Sequence, residues 1–255
     1  MQKSIFITGA GAGIGAAVAQ HFLSNGWKVG IYDINQDAVI EIAQGFPTEQ
    51  VRTGVLDVTN IEHWKIALCD FFQWAGRLDI LCNNAGILYS GAFEQVDLEK
   101  HVRTFTVNVQ GIMNGCHSAL PYLKQTKNSR VINMSSASAI YGQADLSSYS
   151  ASKFAIRGLT EALDIEWQKY AIRVIDIMPL FVKTDMVSNM DAGSIRKLGV
   201  HLTPVQVADV IYQAATTKSP KTHWPVGMMA KMMYHLSAIT PDYLTRKVNH
   251  YISRH

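Results

Sequence analysis

The chain has 255 residues, 48% hydrophobic and 17% charged, with a formal net charge of +3. That is apolar material enough for one large α/β domain or two small ones, and the charge, though weighted toward a mildly basic tail, forms no polybasic run or nucleic-acid-binding module. No apolar run reaches the ~18 residues that a membrane-spanning helix needs, and the short run after Lys3 leads into glycines rather than a secretory cleavage pattern.

Ser4 to Thr8 is a short apolar run ending at glycine, the pattern of a buried strand. Gly9-Ala10-Gly11-Ala12-Gly13-Ile14-Gly15 follows, and then Ala16, Val18, Ala19, Phe22 and Leu23 at helical spacing, stopped by Asn25-Gly26. Such a loop lets backbone N–H groups and a helix N-terminus meet a pyrophosphate, or it is a tight turn under a closely packed helix. Its place directly after the first strand favours the phosphate site. The spacing is Gly9, Gly13, Gly15 rather than GxGxxG, because position 14 is Ile. Trp27 to Tyr32 reads as a second strand with Asp33 at its end, where an acid accepts hydrogen bonds from ribose hydroxyls and repels a 2′-phosphate. Neither the loop alanines nor Ile34 supplies a cation, so the pattern points to NAD(H) over NADP(H). Asp33 also has a plainer reading, as a cap for the helix near Gln36.

Val51 to Val58 reads as a third strand containing Asp57, and Ile61 to Gly76 as a helix. Leu78 to Cys82 is a fourth strand, followed by the small polar turn Asn83-Asn84-Ala85-Gly86. Two such turns after buried strands suggest one ligand crossing the carboxyl ends of a parallel sheet. A long helix is expected from Leu98 to Lys124, although Asn108 and Gly111 are poor helix formers. Asn108 is either a polar interruption of the core or a residue placed for chemistry. Arg130 to Met134 is a fifth strand, ending in Ser135-Ser136.

A helix starting at Ser147 carries Tyr149 and Lys153, four apart and therefore on one face. An ammonium beside a phenol lowers the phenol pKa from ~10 and allows proton exchange near neutrality. The plainer reading is a surface pair on an ordinary helix. Ala171 to Met178 is a sixth strand stopped by Pro179, Leu180 to Gly199 is irregular, Pro204 to Ala215 is a helix and Thr222 to Val226 a last strand. Strands and helices alternate without linker or repeat. The expectation is a single doubly wound, Rossmann-like α/β domain over residues 1–255, with a mostly parallel sheet and helices on both faces. Residues 228–255 are its Met-rich, basic extension.

Together these motifs resemble the short-chain dehydrogenase/reductase family, over roughly Ser4 to Gly227. The resemblance rests on Thr8 to Gly15, Asp57, Asn83 to Gly86, Asn108, Ser136, Tyr149 and Lys153, with Ser136 thirteen positions before Tyr149. It implies that Tyr149 is the acid/base, that Lys153 lowers its pKa and binds the nicotinamide ribose, that Ser136 holds the substrate oxygen and that Asn108 holds a relay water. It also implies a cofactor site. Gly9, Gly11, Ala12, Gly13, Ile14 and Gly15 would meet the phosphates, and Asp33 and Ile34 the adenosine ribose. Asp57 and Val58 would lie by the adenine, Asn84, Ala85 and Gly86 beside the cofactor, and Pro179, Val182 and Thr184 by the carboxamide, with Tyr149 and Lys153 closing the set. The family usually has Pro-Gly where this chain has Pro179-Leu180, so Leu180 narrows the entrance or shifts the loop.

The expected activity is NAD-dependent interconversion of an alcohol and its ketone or aldehyde. Leu180, Phe181, Met186, Val187 and Met190, with tail residues such as Met228, Met229, Met232 and Met233, suggest a hydrophobic substrate, or else core and subunit contacts. The alternatives are an NADPH-dependent 3-oxoacyl-thioester reductase, which Asp33 opposes, and a noncatalytic NAD-sensing or scaffold protein, which need not keep all four catalytic residues. A homodimer or homotetramer is expected from the resemblance. Nucleic acid is not an expected partner, and no metal site is expected, since CxxC and HExxH spacings are absent. Three separated cysteines point to a reducing, cytoplasmic setting. From Lys218 onward there are six basic residues and one acid, and the tail is more readily packed on its own domain or a partner than on a membrane.

Overall fold

The computed structural model describes residues 2–188, 190 and 192–253, so the tail's Arg254 lies outside the described residues. Seven strands form one sheet: β1 (Ser4–Thr8), β2 (Lys28–Asp33), β3 (Val51–Val55), β4 (Ile80–Asn83), β5 (Arg130–Met134), β6 (Arg173–Pro179) and β7 (His223–Val226). Their order is β3-β2-β1-β4-β5-β6-β7 and every pairing is parallel. The order reverses between β1 and β4, and a ligand crevice opens beyond the carboxyl ends of such a pair.

The period-2 alternation of β1 divides the core. Ile5 and Ile7 face α1 (Gly13–Ser24) and α9 (Pro204–Thr216), with Phe22, Val207 and Ile211. Phe6 faces α3 (Ile61–Ala75) and α5 (Gly111–Leu123), where it stacks on Tyr32 at 4.1 Å and packs against Trp64 and Phe71. With both faces covered, β1 is buried throughout, which explains its unbroken apolar run. Gly30 on β2 leaves the space that Phe71 fills, since a Cβ there would lie 2.7 Å from the ring.

Polar side chains set the helix ends. Asn35 caps α2 (Gln36–Ala43), so that role does not fall to Asp33. Asn60 caps α3, and Gly76 ends it in the left-handed conformation. Thr203 and Gln206 form a capping box on α9 behind Pro204.

Several boundaries differ from the sequence expectation. β3 stops at Val55 rather than Val58, because Leu56 N–H turns to the Asp33 carbonyl and Asp57 closes a turn by accepting the Thr59 N–H and hydroxyl. The expected long helix is three pieces: α4 (Leu98–Phe105), a π-helical turn Thr106–Gln110 and α5. α6 (Ser147–Glu166) carries Tyr149 and Lys153 as expected. The irregular stretch after β6 holds α7 (Asp185–Ser188) and α8 (Gly193–Leu198). The tail folds as α10 (Met228–Ser237) and α11 (Asp242–Ser253). No helix among the described residues is long and apolar enough to cross a membrane.

Candidate active site

A cavity of about 280 Å³ lies at the β1/β4 reversal. Gly9, Ala12, Gly13, Ile14 and Asp33 line one end, Asn84, Ala85 and Gly86 the middle, and Ser136, Tyr149, Lys153, Pro179, Val182 and Thr184 the other. Expected residues from six separate segments thus meet around one space.

The glycine loop is shaped by close approach. A Cβ on Gly15 would sit 2.1 Å from the Gly9 carbonyl oxygen, and one on Gly9 would sit 2.7 Å from the Ala85 backbone. Gly9 and Gly13 both have positive φ. α1 starts at Gly13 with no side-chain cap and no acid in its first turn, so its opening N–H groups and positive dipole end face the cavity. Asn84 turns its amide inward to the Thr8 and Gly9 carbonyls, while Thr8 Oγ1 accepts the N–H groups of Asn84 and Ala85. Asn84 therefore holds the glycine-loop backbone to the β4 turn, a role its sequence position did not disclose.

Asp33 accepts Gly11 N–H on Oδ2 and Asn35 N–H on Oδ1, which fixes its carboxylate at the cavity's edge with lone pairs to spare. Lys153 is the one cation lining the cavity among the described residues, and it lies at the opposite end. Ile34 is exposed beside Asp33, and Val58 is buried, its carbonyl accepting from Trp64 and Asn114. Ile34, Gly11, Gly15, Asp57, Val58 and Asn108, also expected at the site, do not line this cavity.

At the far end, Lys153 is buried and donates to the Met134 carbonyl at 2.8 Å. Its Nζ lies 5.4 Å from the centre of the Tyr149 ring. Burial pulls the ammonium down to about 8. Burial also pushes the Tyr149 phenol up to about 12, with a hydrogen bond to Ser136 working the other way. This corrects the expectation of a lowered phenol pKa: removal from water outweighs the hydrogen bond to Ser136. Tyr149 is thus a phenol at neutral pH, set to give a proton.

Asn108 is wholly buried on the π-helical turn. Its Oδ1 accepts Ile87 N–H at 2.8 Å, and its Nδ2 donates to the Ile87 carbonyl and to Ser152. The side chain clamps the β4–α4 connection to α6, and three of its hydrogen-bonding positions are taken by protein.

The mouth is apolar: Leu88, Leu180, Phe181, Met186, Val187 and Met190. Leu180 both lines the cavity and packs on Ala137, Ala139 and Met178. The tail methionines do not line it. Met233, Tyr234 and Ala230 pack behind Leu180, and Met228 is 87% exposed, which corrects the expectation that the tail adds to the substrate surface. Sequence reasoning passed over Ser138, Leu88 and Gln143. The Ser136-Ala137-Ser138 pattern was a signal for the first, whereas Leu88 and Gln143 had none.

A family model described as short chain dehydrogenase matches residues 3–194. The trans-4-hydroxycyclohexanecarboxylate dehydrogenase of Sinomonas cyclohexanicum is 32% identical over 228 residues, 86% of this chain and 87% of that one. A 3-oxoacyl-(acyl-carrier-protein) reductase of Thermotoga maritima is 33% identical over 226 residues, 85% of this chain and 92% of its own. The solved 3-ketoacyl-(acyl-carrier-protein) reductase of Brucella melitensis, complexed with NADH, superposes with a TM-score of 0.80 at 26% identity, covering 88% of this chain and 96% of that one.

Proposed function

The chain belongs to the short-chain dehydrogenase family, and from that premise we propose that this oxidoreductase uses NAD(H) to interconvert a hydrophobic secondary alcohol and its ketone. The observation that carries the reading is the convergence of Tyr149, Ser136 and Lys153 at one end of a cavity whose other end is Asp33 and the bare α1 N-terminus. The glycine loop fits a dinucleotide, because Gly9, Ala12, Gly13 and Ile14 line the cavity where α1 begins without a side-chain cap or an acid in its first turn. NADH in the Brucella structure supports a nicotinamide cofactor. Asp33, with no cation beside it among the cavity-lining residues, supports NAD(H) over NADP(H).

A nicotinamide cofactor held between the glycine loop and Lys153 would supply or take the hydride when bound. Tyr149 gives its phenolic proton to the carbonyl oxygen during reduction and takes it back during oxidation. Ser136 donates a hydrogen bond to the same oxygen as negative charge develops there. Lys153, fixed by Met134, favours the phenolate that Tyr149 becomes. Asn108 holds the β4 turn at the distance this arrangement needs. The apolar mouth admits a hydrophobic ring or chain, and the cyclohexane-ring relative supports the ring.

The second reading, an NADPH-dependent acyl-thioester ketone reductase, draws on the Thermotoga relative and is opposed by Asp33. A noncatalytic NAD-binding role is opposed by the complete Asn108, Ser136, Tyr149 and Lys153 set. We read residues 1–255 as one nucleotide-binding domain with 228–255 as its extension, working in the cytoplasm, where its three free thiols stay reduced. Self-association would cover the exposed Val102, Phe105, Met113 and Phe154 on α4 to α6.

The test pairs NADH and NADPH titrations by fluorescence with a panel of cyclic and open-chain alcohols and ketones followed at 340 nm. Tighter NADH binding with turnover of an apolar ketone is the expected result. Tyr149→Phe should keep NADH affinity within a few fold and lower turnover by ~10²–10⁴. Near wild-type turnover in that variant would refute the assigned chemistry.

A further inference from the structure

Behind Ser136 runs a buried line of polar side chains that the proposed chemistry does not use. Ser136 Oγ lies 3.2 Å from Ser138 Oγ and accepts the Ser138 N–H at 3.1 Å. Ser138 Oγ accepts from Gln143 Nε2 at 3.0 Å. Gln143 Oε1 accepts from the Ser194 hydroxyl at 3.0 Å. All four residues are buried. The Gln143 backbone N–H donates to Ser150 Oγ, next to Tyr149 on α6. Ser194 stands in the first turn of α8, which belongs with Phe181, Val187 and Met190 to the apolar cover packed on Tyr149.

The line has a direction. A carboxamide nitrogen only donates, so Gln143 fills one of the two acceptor positions on Ser138 and cannot take the Ser138 proton, which stays free to be given elsewhere. Ser136 is the hydroxyl in reach to receive it. With the Ser138 N–H as well, both acceptor positions of Ser136 are then occupied. Its own proton then points outward, toward the Pro179 carbonyl at 3.4 Å and the Tyr149 phenol that also hydrogen-bonds Ser136, until a better acceptor arrives. A carbonyl oxygen gaining charge is such an acceptor.

We propose that Gln143 is a positioning residue that fixes Ser136 as a hydrogen-bond donor to the substrate oxygen and ties that orientation to the seating of α8 over the site. The proposal rests on the oxidoreductase reading above and adds a residue to it. It explains why a primary amide is buried between two serines: an apolar residue would leave Ser138 free to turn either way, and would remove the hydrogen bond that joins the first turn of α8 to the Ser136 loop.

Gln143→Glu reverses the sense of the line without changing its shape. While protonated, the introduced carboxyl donates to Ser138 as the amide does. Once ionised it only accepts, so Ser138 turns toward it and Ser136 loses its donor. Ketone reduction with NADH, on the best substrate of the panel, should therefore match wild type at low pH. It should fall at least tenfold as pH rises through the new carboxyl's titration, a limb absent from wild type. The loss should lie in kcat, with the NADH dissociation constant within twofold. Gln143→Leu should lower kcat at least tenfold at every pH, and Ser138→Ala should do the same. Hydrogen exchange of the α8 amides, measured on the intact protein, should quicken at least fivefold in Gln143→Leu, and this readout needs no turnover. A Gln143→Glu profile lying on the wild-type one, or unchanged α8 exchange in Gln143→Leu, would overturn the proposal. Tyr149→Phe run in parallel separates the two failures: if it stays active the oxidoreductase site is wrong, and if it is dead while the Gln143 variants are normal, only the positioning role is.

Discussion

Lys153 is held in a place that suits chemistry and not stability. Its ammonium is buried against one carbonyl, and burial lowers its pKa from 10.5 to about 8. The unfolded chain therefore binds more protons than the folded one between those values. Stability rises with pH across that window, and the full cost is present below about 8. A shift of this size corresponds to about 3 kcal/mol, partly offset by the hydrogen bond to Met134. Lys153→Met should therefore raise the melting temperature of the ligand-free protein at pH 7 by a few degrees while abolishing turnover. The gain should shrink above pH 10, and scanning calorimetry at both pH values checks it. Tyr149 gives the complementary result. With its phenol near 12, alcohol oxidation needs the scarce phenolate, so initial oxidation rates should climb from pH 7 to 9 while ketone reduction does not. A flat oxidation profile would count against Tyr149 as the base. At the other end of the cavity, Asp33→Ala removes the carboxylate proposed to repel a 2′-phosphate. NADPH affinity should improve relative to NADH by about tenfold or more in paired titrations.

Among the elements, the π-helical turn Thr106–Gln110 shows what pattern reading reaches and what it does not. The apolar spacing from Leu98 to Lys124 is helical throughout, and the chain is helical throughout. What changes is the hydrogen-bond partner, from i−4 to i−5, and that leaves no trace in hydrophobic periodicity. The extra residue rotates Asn108 into the core, where it pairs with Ile87 and Ser152. Asn108→Leu keeps the volume and strands the Ile87 N–H and carbonyl, so it should cost about 2–5 kcal/mol in urea unfolding, and Asn108→Ser less. The strand–glycine–helix start, Asp33 and the Tyr149/Lys153 pair were legible because each depends on residues close in sequence. The Ser138–Gln143–Ser194 line was not, since Gln143 and Ser194 meet across 51 positions through folding alone. Nor was the end of β3 at Val55, which a turn at Asp57 decides rather than β propensity.

At the scale of the whole molecule, the tail braces the site from behind. α10 places Ala230, Met233 and Tyr234 against Ala137, Ala139, Ile140, Tyr141 and Met178, the packing beneath the Ser136 loop and Leu180. α11 reaches the substrate cover, where the Lys197 ammonium of α8 lies 4.5 Å from the centre of the Tyr251 ring on α11. The cofactor end depends on neither helix: Gly9, Gly13 and Asp33 are held by β1, β2, α1 and the β4 turn. Cutting the chain after Gly227 should therefore separate two properties that one fold carries. NADH affinity should stay within a few fold of the full chain, because the glycine cradle and Asp33 keep their supports. Ketone turnover should fall at least tenfold, because the loop carrying Ser136 and Ser138 loses an apolar layer worth about 25 cal/mol per Å² of covered surface. Cutting after Ser237 should have a smaller effect, since α10 remains and only the brace on α8 is gone. Equal turnover in the full chain and the shorter fragment would make the tail a surface appendage, and its exposed methionines would then need another explanation.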